Sequence, residues 1–187
     1  MSIYKRRYRR DTLTGGTKDV NPQYMTLSGT QTGADIFTQF QVQIPIQRLQ
    51  TQGRAQVMEV LRVKLVASNL IASSAAATQH ELAIALTTKT FAAAVTFAEP
   101  TCFAFYQKTN VNAFTAGGTG LLANEVEPYD YDCTDGSGHG FLVASDNIFL
   151  QIASVATGVA NAAQVKIYYR WKDVSIQEYV GIVQSQS

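Results

Sequence analysis

The chain has 187 residues, of which 46% are hydrophobic and only 16% charged. That length and apolar content exclude global disorder and suit one domain burying roughly 70% of its unfolded surface. The net charge of +1 excludes a uniformly basic or acidic protein but hides an asymmetry: five of the fifteen Lys/Arg lie in residues 1–10, leaving ten against fourteen Asp/Glu elsewhere.

The first ten residues, MSIYKRRYRR, follow neither the helical nor the strand period and cannot bury a face. They read as a flexible basic arm. Lys5, Arg6, Arg7, Arg9 and Arg10 would pair with phosphates, and Tyr4 and Tyr8 would stack on unpaired bases. A nuclear localisation signal and a solubilising tail are the alternatives. Residues 11–23, with Gly15, Gly16 and Pro22, form a linker, so the folded domain is expected over residues 24–187. The TGGTK at 14–18 lacks phosphate-loop spacing.

Short strands separated by turns then follow. They are expected at 24–27, 36–46, 56–67, 80–88, 101–108, 140–145 and 147–155. Pro45 removes a ladder donor, placing that end of its strand at a sheet edge or bulge. Residues 73–86 and 91–97 are Ala-rich and read as loops with room for short helical turns. The clearest strand is QVKIYYRWKDV at 164–174. Val165, Ile167, Tyr169 and the only Trp, Trp171, alternate with Lys166, Tyr168, Arg170 and Lys172. One face should line a core and the other should be basic, facing nucleic acid. Residues 175–186 read as a less regular tail. About eight strands without a long helical stripe indicate an all-β sandwich or barrel.

Tests for chemistry are mostly negative. His80 and His139 are the only histidines, and no nucleophile signature surrounds His139 and Ser137, so no enzyme activity is expected. Cys102 and Cys133 lack metal-ligand spacing and follow no signal peptide, which suits reduced thiols in an intracellular setting. No cofactor is expected. No apolar run approaches the roughly 18 residues of a spanning helix, so no membrane partner is expected. Glu125, Glu127, Asp130, Asp132 and Asp135 crowd one loop, but out of EF-hand order, and read as a solvated acidic loop. Residues 109–124 and 147–165 carry no charge, which suits surface covered by identical neighbours.

Two motifs carry a resemblance. DGSGHGFLVASDNIFLQ at 135–151 and KIYYRWKDVSIQEYVGIVQSQ at 166–186 resemble the C-terminal half of capsid proteins from small circular Rep-encoding single-stranded DNA (CRESS-DNA) viruses. The basic N-terminus is similar in kind to their arms, though shorter than many. The resemblance implies a single jelly roll of two packed four-stranded antiparallel sheets. It further implies a homo-oligomeric icosahedral (T=1) shell of about 60 copies around a single-stranded DNA genome. It places the chain in the virion, with assembly in the host nucleus and a host receptor of unknown identity. Lys5, Arg6, Arg7, Arg9 and Arg10 would be the genome-binding arm, and residues 164–174 a late strand of the roll. Two other readings compete: a small oligomeric β-barrel that binds single-stranded nucleic acid, and a sugar-binding or enzymatic jelly roll, disfavoured for want of convergent polar groups.

Overall fold

The computed structural model describes residues 23–44, 53–67, 79–111 and 128–186. Nine strands and one helix follow in order: β1 (Gln23–Thr30), β2 (Thr38–Gln43), β3 (Arg54–Ala67), β4 (Gln79–Thr87), β5 (Cys102–Val111), β6 (Tyr129–Asp132), β7 (Phe141–Val143), β8 (Asn147–Val155), β9 (Ala162–Ser175) and α1 (Ile176–Ser185). They form two antiparallel sheets. One has the order β1-β9-β3-β6, with β7 also on β3; the other has the order β2-β8-β4-β5. Because β6 and β7 share one edge of β3, the first sheet is four strands wide although it contains five. The expected jelly roll is the fold observed.

Strand order explains why the pattern at 164–174 is so clean. β9 lies between β1 and β3, so both of its backbone edges are bonded and its two faces meet different surroundings. Val165, Ile167 and Tyr169 are buried between the sheets, against Ile84, Leu150 and Ile152 of the other sheet and Val63 of β3. Trp171 is only half-buried and meets Tyr169 edge-on at 5.5 Å. The core therefore centres one turn of the pleat before the tryptophan.

β3 changes frame midway. Between Val60 and Arg62 the register with β9 shifts by one residue, and the extra residue, Leu61, offers its carbonyl to the Cys133 N–H at 3.0 Å. Such a bulge lets Met58 and Val60 face the core before it, and Val63 and Leu65 after it. β2 lies at the outer edge of the second sheet, as Pro45 implies for that strand; Pro45 itself lies outside the described residues.

Two expectations about irregular segments are overturned. The acidic loop contains a strand, β6, because Tyr129 and Tyr131 alternate with Asp130 and Asp132 and pair with Leu65 to Arg62 of β3. The tail is a helix, α1. Ser175 caps it by accepting the Glu178 N–H, and the Glu178 carboxylate returns to the Ser175 N–H, a capping box. Tyr179 and Ile182 lay the helix over Ala55, Val57, Ala144 and Val174 on the outer face of the first sheet. Residues 91–97 contain no helix. That loop lies against the second sheet, where the Phe91 N–H donates to Gln39 Oε1 at 3.0 Å.

One end of the sandwich is closed by side chains. Gln31 Oε1 accepts from the Asn161 N–H at 2.9 Å, Asn161 Nδ2 at 3.2 Å and Ser154 Oγ at 3.1 Å. Asp35 accepts from the Thr157 N–H at 2.7 Å. Buried polar groups are tolerated only when so satisfied. The network binds the β1–β2 turn to the β8–β9 turn.

Candidate nucleic-acid interface

The face of β9 opposite the core looks outward from the sandwich. Lys166, Tyr168, Arg170 and Lys172 share it with Arg62, Lys64 and Glu59 of β3, Asp130 and Asp132 of β6, and Tyr24 of β1. The sequence places only cations there; neighbouring strands add three carboxylates. The face is thus a mosaic with a cationic excess, and α1 covers one end of it.

In its middle is a buried ion cluster. The Glu59 side chain is fully buried, and Arg170 Nε donates to its Oε2 at 2.5 Å while Lys172 Nζ lies 3.5 Å from Oε1. The Gly140 N–H adds a bond to Oε1 at 2.9 Å, and Arg170 Nη2 reaches the Gly138 carbonyl at 3.1 Å. Burial pushes the Glu59 carboxyl up, but the hydrogen bonds from Arg170 and Gly140 and the nearby cations outweigh it, holding its pKa below the usual value. Arg170 and Lys172 are therefore tied to a structural carboxylate that also anchors the 135–140 turn.

The open end is different. Lys64 and Lys166 stand directly opposite each other on β3 and β9, an arrangement that like charges disfavour. Each is drawn toward a separate neighbour. Lys64 Nζ lies 3.7 Å from Asp130, whose other partner is the guanidinium of Arg62 in a two-pronged pair. That guanidinium holds the Asp130 carboxyl below its ordinary pKa. Lys166 Nζ sits 4.0 Å from the centre of the Tyr24 ring and 5.4 Å from that of Tyr168. Tyr24 is 62% exposed. Beside these groups an open groove of about 470 Å³ runs over Thr26, Ser28, Val66, Pro128 and Gln164. Lys64 and Lys166, which line it, can receive an anion, and the exposed Tyr24 ring beside it a flat, unpaired surface.

The remaining candidates are dispersed. Tyr4, Lys5, Arg6, Arg7, Tyr8, Arg9 and Arg10 lie outside the described residues, as do Glu125 and Glu127. His139 and Ser137 both turn to Asp135: His139 Nδ1 is 3.2 Å from its Oδ2, and the Ser137 N–H donates to its Oδ1 at 2.8 Å. Among the described residues no group of three or more His, Cys, Asp or Glu could hold a metal ion. His80 is buried, and its Nδ1–H donates to the carbonyl of Ala156, itself at a positive φ of 56°.

The arrangement of strands matches known structures. VP1 of Trichodysplasia spinulosa-associated polyomavirus, solved with 3'-sialyllactose, aligns with a TM-score of 0.52 at 9% identity, over 84% of this chain and 97% of that one. The same VP1 with GM1 oligosaccharide gives 0.51 at 8% identity, over 86% and 96%. The chain shares the jelly-roll fold of these VP1 chains. No protein family and no curated protein matches the sequence. The likeness is one of fold.

Proposed function

We propose that the chain is a coat protein of a small circular Rep-encoding single-stranded DNA virus, which assembles into an icosahedral shell and packages its genome. The observation that carries this reading is the two-sheet jelly roll, β1-β9-β3-β6 against β2-β8-β4-β5, in a chain that aligns with 97% of a polyomavirus VP1 at a TM-score of 0.52. The surface is consistent with repeated self-contact. Ile36, Val155 and Val159 are exposed on two turns joined by the Asp35–Thr157 bond, and Val155 and Val159 lie in the charge-free stretch 147–165. Jelly rolls leave sheet edges that a closed shell can cover.

Packaging has two cationic sources in this reading. Residues 1–10 bring five cations per copy, so about 60 copies bring about 300, too few for a kilobase-scale genome. The outward face of β9 supplements the arm through Lys166 if it lines the interior, Arg170 and Lys172 being engaged by Glu59. Recombinant protein examined by size-exclusion chromatography and negative-stain microscopy tests the proposal. Megadalton particles carrying nucleic acid are expected, and empty shells on removal of residues 1–10. A species of tens of kilodaltons that binds single-stranded DNA would replace the shell by a small binding protein.

A further inference from the structure

We infer that the groove at the open end of the first sheet is a binding subsite for single-stranded nucleic acid. A base stacks on Tyr24, and the adjoining phosphates sit between Lys64 and Lys166. This rests on the coat-protein reading only for the source of the ligand; the chemistry stands on the face itself.

Four observations converge. Lys64 and Lys166 are paired across strands where like charge is unfavourable, and an anion between them would relieve that repulsion. Tyr24 presents a large exposed ring 6.4 Å from Tyr168, which is the element that sequence-tolerant stacking uses. The groove is lined by Thr26, Ser28 and Gln164, hydrogen-bonding groups at the scale of a sugar-phosphate, beside Val66 and Pro128. Its volume of about 470 Å³ falls within the roughly 300–1,000 Å³ of small-ligand sites. Unpaired bases are required, because a duplex hides its ring faces in its own stack.

The carboxylates of the face define where the strand runs. Glu59 is already engaged by Arg170 and Lys172, so a phosphate there would compete with a buried anion. Asp130 is held by both arms of Arg62, so a phosphate can take Lys64 without stranding it. The strand should therefore follow the Tyr24–Lys166–Lys64 end and stay clear of the Glu59 cluster and α1.

The test uses the full-length chain. A labelled oligo-dT is titrated against wild type, Tyr24→Ser, Tyr24→Phe and the Lys64→Gln/Lys166→Gln double variant, with thermal melts to verify folding. Loss of the ring should weaken binding roughly 5- to 150-fold, and Tyr24→Phe should restore it. The double lysine variant should lower the salt slope by about 1.4. Ultraviolet cross-linking of purified particles should give nucleotide adducts on the peptide carrying Tyr24 or Tyr168. Wild-type affinity and salt slope in folded variants, with adducts confined to residues 1–10, would overturn the subsite even if particles form. Conversely, a ring- and lysine-dependent affinity in protein that forms no particles would support the subsite while removing the shell.

Discussion

Glu59 and Arg170 stand opposite each other on β3 and β9, 111 residues apart in sequence, and join at 2.5 Å with the carboxylate wholly out of solvent. Breaking such a pair from one side leaves a buried charge uncompensated. Arg170→Ala should cost about 3 kcal/mol in chemical denaturation. Glu59→Gln should cost less, because the amide carries no charge. The sign with pH follows from the depressed carboxyl. Its stabilisation is present above the unfolded value near 4.5 and is lost as pH falls through the lower folded value. Stability measured between pH 5 and pH 3 should therefore drop more in the wild type than in Glu59→Gln. An equal drop would show that Glu59 does not govern the acid limb.

The same cluster depends on the absence of a side chain at Gly140. A Cβ there would lie 2.1 Å from the Val60 carbonyl oxygen and 3.1 Å from Glu59 Cγ. Since the nearest obstacle is backbone, the turn has to move. Gly140→Ala should lower the melting temperature and release the 135–140 turn to faster amide exchange, whereas Gly136→Ala, with open space but a φ of 80°, should show strain alone. An unchanged melting temperature for Gly140→Ala would rule out the close approach.

Burial pushes the Cys102 thiol up to about 11 and the Cys133 thiol up to about 12, from an ordinary 9.0. Both should stay protonated at neutral pH. The thiolate fraction of Cys102 falls about a hundredfold with this shift, so native alkylation should be at least that much slower than in denaturant. Rapid labelling of the folded protein would contradict this.

The capping box at Ser175 can be tested without touching the core. Ser175→Ala removes the acceptor for the Glu178 N–H at 3.2 Å and should cost about 1 kcal/mol. The loss should appear as fraying of α1 in amide exchange. Protection of α1 identical to wild type would mean that packing of Tyr179 and Ile182 alone retains the helix.

Much of the sandwich was readable because β9, and β4 from His80 to Ile84, alternate buried with half-buried side chains, and a period of two records that difference directly. β6 was missed because four residues, two of them Asp, look like solvated loop until Arg62 and Lys64 supply the opposite charge. α1 was missed because Val180, Gly181, Ile182 and Val183 dilute helical preference; the Ser175-x-x-Glu178 box was the available signal. At the candidate site, Lys166 was legible from β9 alone. Lys64 and Tyr24 were not, since cross-strand neighbours are chosen by register and no local pattern carries it. For the same reason the carboxylate partner of Arg170 and Lys172 was not legible, since Glu59 lies in a distant strand.

The central position of β9 has a consequence for biosynthesis. β1 and β3 meet only through a strand made well after both of them, and β8, which separates β2 from β4, precedes it by six residues. Neither sheet can close until β8 and β9 have been made, so β1 to β4 must wait for them. A polypeptide that stops before β9 would lose the seam of one sheet. Translation that stops early should therefore yield protein for proteolysis.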